Sequence, residues 1–420
     1  MKPSRYSFFT QEGDRYFIYH QLTRALIQVD KALIDSLKKS EIKSIPKDIQ
    51  ETLYNSSILI DDDIEESSII STANIKERYQ SKMLRITILP TLMCNFSCWY
   101  CYENHMPSRM KKGAVSSLLS FIKEKAIERD KKQILLDWFG GEPLLCFNNI
   151  IVPFTLELID WGKQNGISIR SMITTNGSLI NERMSKKMEE IHLNQFQITL
   201  DGGKFSHNQT RYSSAIPDSY SLIIKNIHIL CECIRGIDIE LRINYTPENI
   251  DSIKEILNEF KEEIRANIVI SPHIVWQKAR SLLNVSDRIR EFINLAKDMG
   301  YRITNQTLTP RCISCYTENI DQYVINYNLD VYKCTARDFD GKFSIGKISP
   351  NGEFIPNGLY YKYLTVQSPF QNEKCLKCEI LPTCLYSSSC IQKEIEGVYP
   401  PCYKELHVQN LRMYIKKMIQ

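Results

Sequence analysis

Three cysteines stand at 94, 98 and 101 in the run CNFSCWYC. Three thiolates are one short of the four that most structural metal sites use. They suffice for three irons of a cubane cluster, since each cluster iron takes one terminal ligand; the fourth iron then stays open to chelate a small molecule. Zinc sites share such spacings, so the loop alone leaves both chemistries open.

The remaining cysteines sharpen the reading. The chain has fourteen in 420 residues, eight of them between 312 and 402, while Cys146, Cys231 and Cys233 stand apart. In a reduced compartment disulfides do not persist, and clustered cysteines hold metal or do redox chemistry. The N-terminus, MKPSRYSFFTQEGDRYF, meets charge before an apolar segment can form, and no run approaches the eighteen or so apolar residues of a membrane span. The expectation is a cytoplasmic protein without a membrane partner. Lys and Arg exceed Asp and Glu by only 53 to 49, dispersed along the chain, which argues against nucleic acid.

Positioning these thiols requires a scaffold. From residue 84, short apolar strands (LRITILPT, LLDWFGG, SIRSMITTN, FQITLDG, IELRINYT, NIVISPH) alternate with amphipathic helices such as VSSLLSFIKEKAIERD. This pattern predicts right-handed βα units and a mostly parallel, six-stranded partial barrel that binds ligands at the strands' carboxyl ends. Before it, YFIYH and ALIQVD predict a hairpin, and KALIDSLKK and IPKDIQETLYNSSILI predict helices. The acidic, serine-rich DDDIEESSIISTANIKER reads as a linker and sets a boundary near 75. The expected α/β organisation is a first module at 1–75, the barrel at 76–300 and a cysteine-rich domain at 301–420.

The pattern CxxxCxΦC, with Φ aromatic, is matched by Cys94, Cys98, Tyr100 and Cys101 and resembles the radical S-adenosylmethionine (SAM) superfamily. The resemblance implies that the methionyl amine and carboxylate of SAM bind the open iron of a 4Fe-4S cluster. Cleavage then gives a 5'-deoxyadenosyl radical that abstracts hydrogen, with Tyr100 near the adenine. Later motifs follow in the family's order. WFGGEPLL supplies Gly140, Gly141 and Glu142, which would receive the SAM amino group; TTNG supplies Thr175 and Asn176 on the ribose side. LDGGKFSHNQTR supplies Asp201 and Arg211, the latter matching the arginine that pairs with the SAM carboxylate. Taken singly, each motif reads equally as a turn, a helix entry or a solvated charge.

The tail resembles the SPASM domain, which holds two auxiliary 4Fe-4S clusters in enzymes that modify peptides and proteins. The resemblance assigns Cys312, Cys315, Cys334 and Cys390 to one cluster, and Cys375, Cys378, Cys384 and Cys402 to the other. Two departures stand out: Leu329 occupies the usual glycine of G-x4-C, and five residues, not three, precede Cys390. A zinc knuckle at Cys375 and Cys378 is the alternative.

Sulfatase maturases carry an aspartate directly after the cysteine matching Cys334, where this chain has Thr335. Asp338 and Asp340 follow closely and are candidate bases; Cys146 is a candidate hydrogen-atom donor. The first module resembles winged-helix domains that bind a leader peptide as an added strand. Residues 1–60 carry nine Lys or Arg against seven Asp or Glu, too little excess for DNA. The reading is a peptide maturase that forms a crosslink, served by a flavodoxin- or ferredoxin-type reductant. Formylglycine formation, epimerisation and a non-catalytic iron-sulfur protein are its alternatives.

Overall fold

The computed structural model describes residues 1–275, 277, 286–304, 315–336, 338–366, 369–384, 390, 393, 395–398 and 402–419. Cys312 lies outside them. The chain divides into two compact units, each built from segments apart in sequence. The first gathers residues 1–81, 306–320 and 361–420, and the second 82–305 and 321–360.

In the first unit, β1 (Ser7–Glu12), β2 (Arg15–His20) and β3 (Leu26–Val29) form an antiparallel sheet in that order. The hairpin turns at Gly13, whose φ of +60° suits a residue without Cβ. Helices α1 (Lys31–Lys38) and α2 (Lys47–Asn55) follow, the first capped by the Asp30 carboxylate. Their apolar faces close with Ile18, Ile45 and Ile58 into a core. The C-terminal helix Lys404–Ile419 packs Leu411 and Ile415 onto Tyr19.

The acidic stretch read as a linker is instead a helix, α3 (Glu66–Tyr79). It buries Glu66, Ile70, Asn74 and Arg78, one residue per turn on a single face, and three of these four are polar. An apolar periodicity cannot register such a face. Glu66 takes hydrogen bonds from the Ser4 hydroxyl and the Arg5 amide, Asn74 donates to Glu318, and Arg78 donates to the Leu364 carbonyl at 2.9 Å.

The second unit is built on one sheet of eleven strands. Six long parallel strands agree with the expected partial barrel: β4 (Met83–Ile88), β5 (Gln133–Trp138), β6 (Ser168–Thr175), β7 (Leu193–Leu200), β8 (Asp238–Tyr245) and β9 (Ile268–Ile274). β10 (Arg302–Ile303) extends one edge in parallel. At the other edge β11 (Gln322–Ile325) runs parallel to β4, and β12 (Asp330–Tyr332), β13 (Gly346–Ile348) and β14 (Phe354–Pro356) continue antiparallel. The buried ion pair of Lys131 with Asp321 fixes the start of β11. The turn into β12 holds Leu329 at φ +70°, the left-handed conformation that explains the glycine preference there and costs a leucine about 1 kcal/mol.

Alternation along the strands gives the sheet two unlike faces. Ile86, Leu136, Ile173, Ile198, Leu241 and Ile270 are fully buried on one face. The other carries Arg85, Asp137, Thr174, Gln197, Arg242 and His273, as the strand register requires. The segment Pro143–Asn165 is long and apolar enough by length and composition to cross a membrane, yet 56% of its apolar window is buried within the protein.

Replacing Arg78 with Ala removes a buried donor and leaves the Leu364 carbonyl without it; a loss of about 2 kcal/mol is expected in urea denaturation. Unchanged stability would show that α3 is not anchored through this face.

Candidate active site

The cysteine loop follows β4, at the carboxyl ends of the parallel strands. Ser97–Cys98 pairs antiparallel with Arg211–Tyr212, opposing Cys98 with Arg211. This two-residue ladder carries a guanidinium 113 positions away in sequence to the thiols. The Tyr100 hydroxyl donates to Asp201 Oδ2 at 2.6 Å and accepts from Arg211 and from Asn244 Nδ2, each at 2.9 Å. Arg211 and Asp201 stand 3.9 Å apart, with side chains 11% and 1% exposed, so the phenol is the bridge between them. Burial pushes the Asp201 carboxyl up while Arg211 and Tyr100 pull it back; burial opposes the Arg211 charge, but Cys98, Tyr100 and Asp201 outweigh it and raise its pKa.

The GGE segment docks on the same loop. Gly141 has φ +41°, and a Cβ there would lie 2.1 Å from the Met93 carbonyl oxygen. That carbonyl accepts the Glu142 amide at 2.8 Å, and the Gly141 amide donates to Glu103 at 2.7 Å. Gly140, at φ +80°, packs against Leu89 with equally little room. The Glu142 carboxylate is fully buried and accepts from the Leu144 and Asn176 amides and the Thr175 hydroxyl. It therefore ties the GGE and TTNG segments together. Asn176 reaches the loop through Asn95 at 2.8 Å.

Asp338 also meets the loop, accepting from Asn104 Nδ2 at 2.6 Å, while the Tyr102 hydroxyl donates to the Thr335 carbonyl at 2.8 Å. Asp340 is exposed and accepts only a local turn amide, from Lys342. Cys146 is 1% exposed, with Sγ 4.0 Å from the Pro90 carbonyl, the position of a packed thiol. Asn244, Glu103 and His105 escaped the sequence reading, and His207, the histidine of the LDG segment, was given no role there. His105 Nε2 lies 3.4 Å from Cys101 Sγ, and His207 Nδ1 accepts the Asp201 amide at 3.3 Å. The H-x3-R spacing of His207 and Arg211 was the available signal for the last.

A cavity of about 580 Å³ opens beside this network, lined by Trp99, Tyr100, Asp201, Asn244, Thr246 and Val275 among others. Asp201 Oδ1 and Arg211 Nε are buried without a hydrogen-bond partner.

Residues 88–260 match the radical SAM superfamily. The chain carries a radical SAM domain. The radical SAM cyclopropyl synthase TigE of Paramaledivibacter caminithermalis is 25% identical over 264 residues, 54% of each chain, so the match spans about half of that protein. Among solved structures, anSMEcpe with bound AdoMet aligns at 18% identity with a TM-score of 0.51, over 70% of this chain and 88% of that one. Its complex with AdoMet and the Cp18Cys peptide aligns at 0.50, over 71% and 88%. Streptococcus suis SuiB aligns at 16% identity and 0.50, over 96% of this chain and 99% of that one. These likenesses are of fold.

The residues fit the groups this superfamily uses. Cys94 accepts the Phe96 amide at 3.4 Å and Cys334 the Ala336 amide at 3.3 Å; Cys101 and Cys378 likewise take the amide two residues on. Such N–H···S bonds stabilise cluster-bound thiolates. Burial pushes the Cys94 thiol up to about 12 and Cys101 up to about 11, so these groups need a cation to ionise. Among the described residues no three Cys, His, Asp or Glu converge on one ion. A cubane's three thiolates bond three different irons and need no common point. Toward SAM, Arg211 offers a fork for a carboxylate, and the orphaned Asp201 oxygen an acceptor for a hydroxyl.

Gly141→Ala forces the 93 carbonyl out of contact, and iron content after anaerobic reconstitution is expected to fall severalfold; full retention would refute the required close approach. Tyr100→Phe leaves Asp201 and Arg211 unbridged. SAM affinity by equilibrium dialysis is expected to fall about tenfold with iron unchanged.

Proposed function

We propose that this chain is a radical SAM peptide maturase that forms an intramolecular crosslink in a ribosomally made peptide. The observation that carries the reading is the pairing of Cys98 with Arg211 at the strand ends of a radical SAM domain, beside a cavity lined by Tyr100, Asp201 and Asn244. When bound, the cluster and SAM would supply a 5'-deoxyadenosyl radical able to take a hydrogen atom. The chain's own residues would hold and orient these groups: Cys94, Cys98 and Cys101 would bind the cluster, Arg211 would take the SAM carboxylate, and Asp201 and Asn244 would offer polar groups to the nucleoside. Glu142, Thr175 and Asn176 keep the loops that carry these groups in register, with Gly140 and Gly141 allowing the approach.

A peptide substrate is supported by the likeness to anSMEcpe, which was solved with a Cp18Cys peptide, and by the first unit's architecture. There β3 has no strand beyond it among the described residues, an edge open to an added leader strand. The cysteine-rich tail supports two auxiliary clusters of the SPASM kind. Cys375, Cys378, Cys384 and Cys402 share one unit, Cys378 neighbouring Cys384 and Lys404 neighbouring both Cys378 and Cys402. The other set would be Cys312, Cys315, Cys334 and Cys390. Crosslinking is favoured over epimerisation because Cys146 is buried, and over formylglycine formation because Asp338 is engaged by Asn104 while Thr335 replaces the adjacent aspartate.

Anaerobically reconstituted protein is expected to hold about twelve irons, and Cys98→Ala to form no 5'-deoxyadenosine from SAM under strong reductant. Co-expression with a small peptide encoded beside the gene should yield a product lighter by about two hydrogens in tandem mass spectrometry. Unchanged deoxyadenosine formation in the Cys98 variant sinks the proposal.

A further inference from the structure

Arg85 and Arg242 lie on the polar face of the large sheet and Arg211 on the ladder opposite Cys98, and the structure treats these three arginines differently. Arg85 is paired with Asp137 at 3.1 Å, and Arg211 is neutralised by Asp201 and bridged by Tyr100. Arg242, on β8, makes no ion pair among the described residues. Its one hydrogen bond runs from Nε to Asn244 Oδ1 at 3.0 Å, which fixes the guanidinium plane and leaves both terminal nitrogens unused.

The surroundings do not supply an anion. On the flanking strands Arg242 stands between Thr199 and Ser271, both neutral. His273 faces the same side, and burial together with Arg242 lowers its pKa to about 4, so it stays uncharged. Glu240, two residues back on the same face, forms no ion pair with it. Asp201 feels the Arg242 charge but accepts its hydrogen bond from Tyr100. A half-buried guanidinium held by its Nε, with its two terminal N–H groups free side by side, matches a carboxylate in bidentate geometry. Asn244 links Arg242 directly to the Tyr100 hydroxyl, so the free fork lies one residue from the cofactor network.

We infer that Arg242 binds a carboxylate of the substrate, so that the peptide presents an acidic residue beside the reacting position. The inference rests on the peptide-maturase reading. The same chemistry has a second source, the methionyl carboxylate of SAM. Arg211 is better placed for that one, because the ladder sets it opposite Cys98 at the cluster loop.

The test uses reconstituted full-length protein with SAM and two pools of capped octapeptides, identical except for glutamate or glutamine at the central position. Retention on immobilised protein is read by mass spectrometry, and SAM affinity is measured separately by equilibrium dialysis. The glutamate pool is expected to be retained about tenfold better than the glutamine pool, the ratio collapsing to about one in Arg242→Met while SAM affinity stays within about twofold. Arg242→Lys, which keeps the charge without the fork, should keep part of the preference and guards against a misfolded Met variant. A preference that survives in Arg242→Met overturns the inference, as does a tenfold loss of SAM affinity there, which would give this arginine to the cofactor. Equal retention of both pools by the unaltered protein overturns it while leaving the peptide reading intact. Retention of neither pool overturns the inference, while the leader-directed peptide reading stands or falls by the co-expression experiment above.

Discussion

Burying charge at the strand ends is the constraint on which this molecule depends. Glu142, Asp201 and Arg211 are each almost inaccessible, and an uncompensated buried charge costs several kcal/mol. Each is compensated by groups from another loop. Glu142 is satisfied by the segments at 144 and 175–176, and Asp201 and Arg211 by a tyrosine from the cysteine loop. No one loop can settle without the others. The cysteines are thus positioned less by their own loop's propensities than by a polar network, with Gly140 and Gly141 supplying the gap through which the GGE segment approaches.

That network explains what the sequence could and could not disclose. The cysteine loop, GGE, TTNG and the LDG segment were legible because each is contiguous and their order is informative. The six strands were legible because alternate residues are Ile, Leu or Phe facing helices. Asn244 and Arg242 were not, since a polar residue on a strand announces itself only when the strand's neighbours are known. Asn244 meets Tyr100 across 144 positions. Helix α3 was lost for a related reason: its buried face is Glu, Ile, Asn and Arg, which imitates a solvated linker.

The second unit shows how the radical SAM core and the cysteine-rich region share structure. Strands β11 to β14 extend the barrel sheet from β4, so Cys334 is carried on the edge of the same sheet that carries Cys94. Two hydrogen bonds, Tyr102 to Thr335 and Asn104 to Asp338, tie the segments just after Cys101 and Cys334. The aspartate that looked like a base in the sequence is therefore better explained as an anchor, because a carboxylate holding an asparagine at 2.6 Å is already engaged. Any change at one cysteine loop is transmitted through these contacts to the other.

The three arginines of the site divide the work by how far each is neutralised. A paired arginine such as Arg85 is a structural strut: its charge is answered by Asp137. Arg211 is answered incompletely, with Nε buried and unpartnered, which would suit the cofactor-holding role proposed for it. Among the described residues no carboxylate pairs with Arg242, and a fold gains nothing in stability from an unanswered guanidinium half removed from water. On the reading inferred above, its place beside this network is preorganisation, the desolvation cost being met in folding so that an incoming carboxylate completes a site already formed.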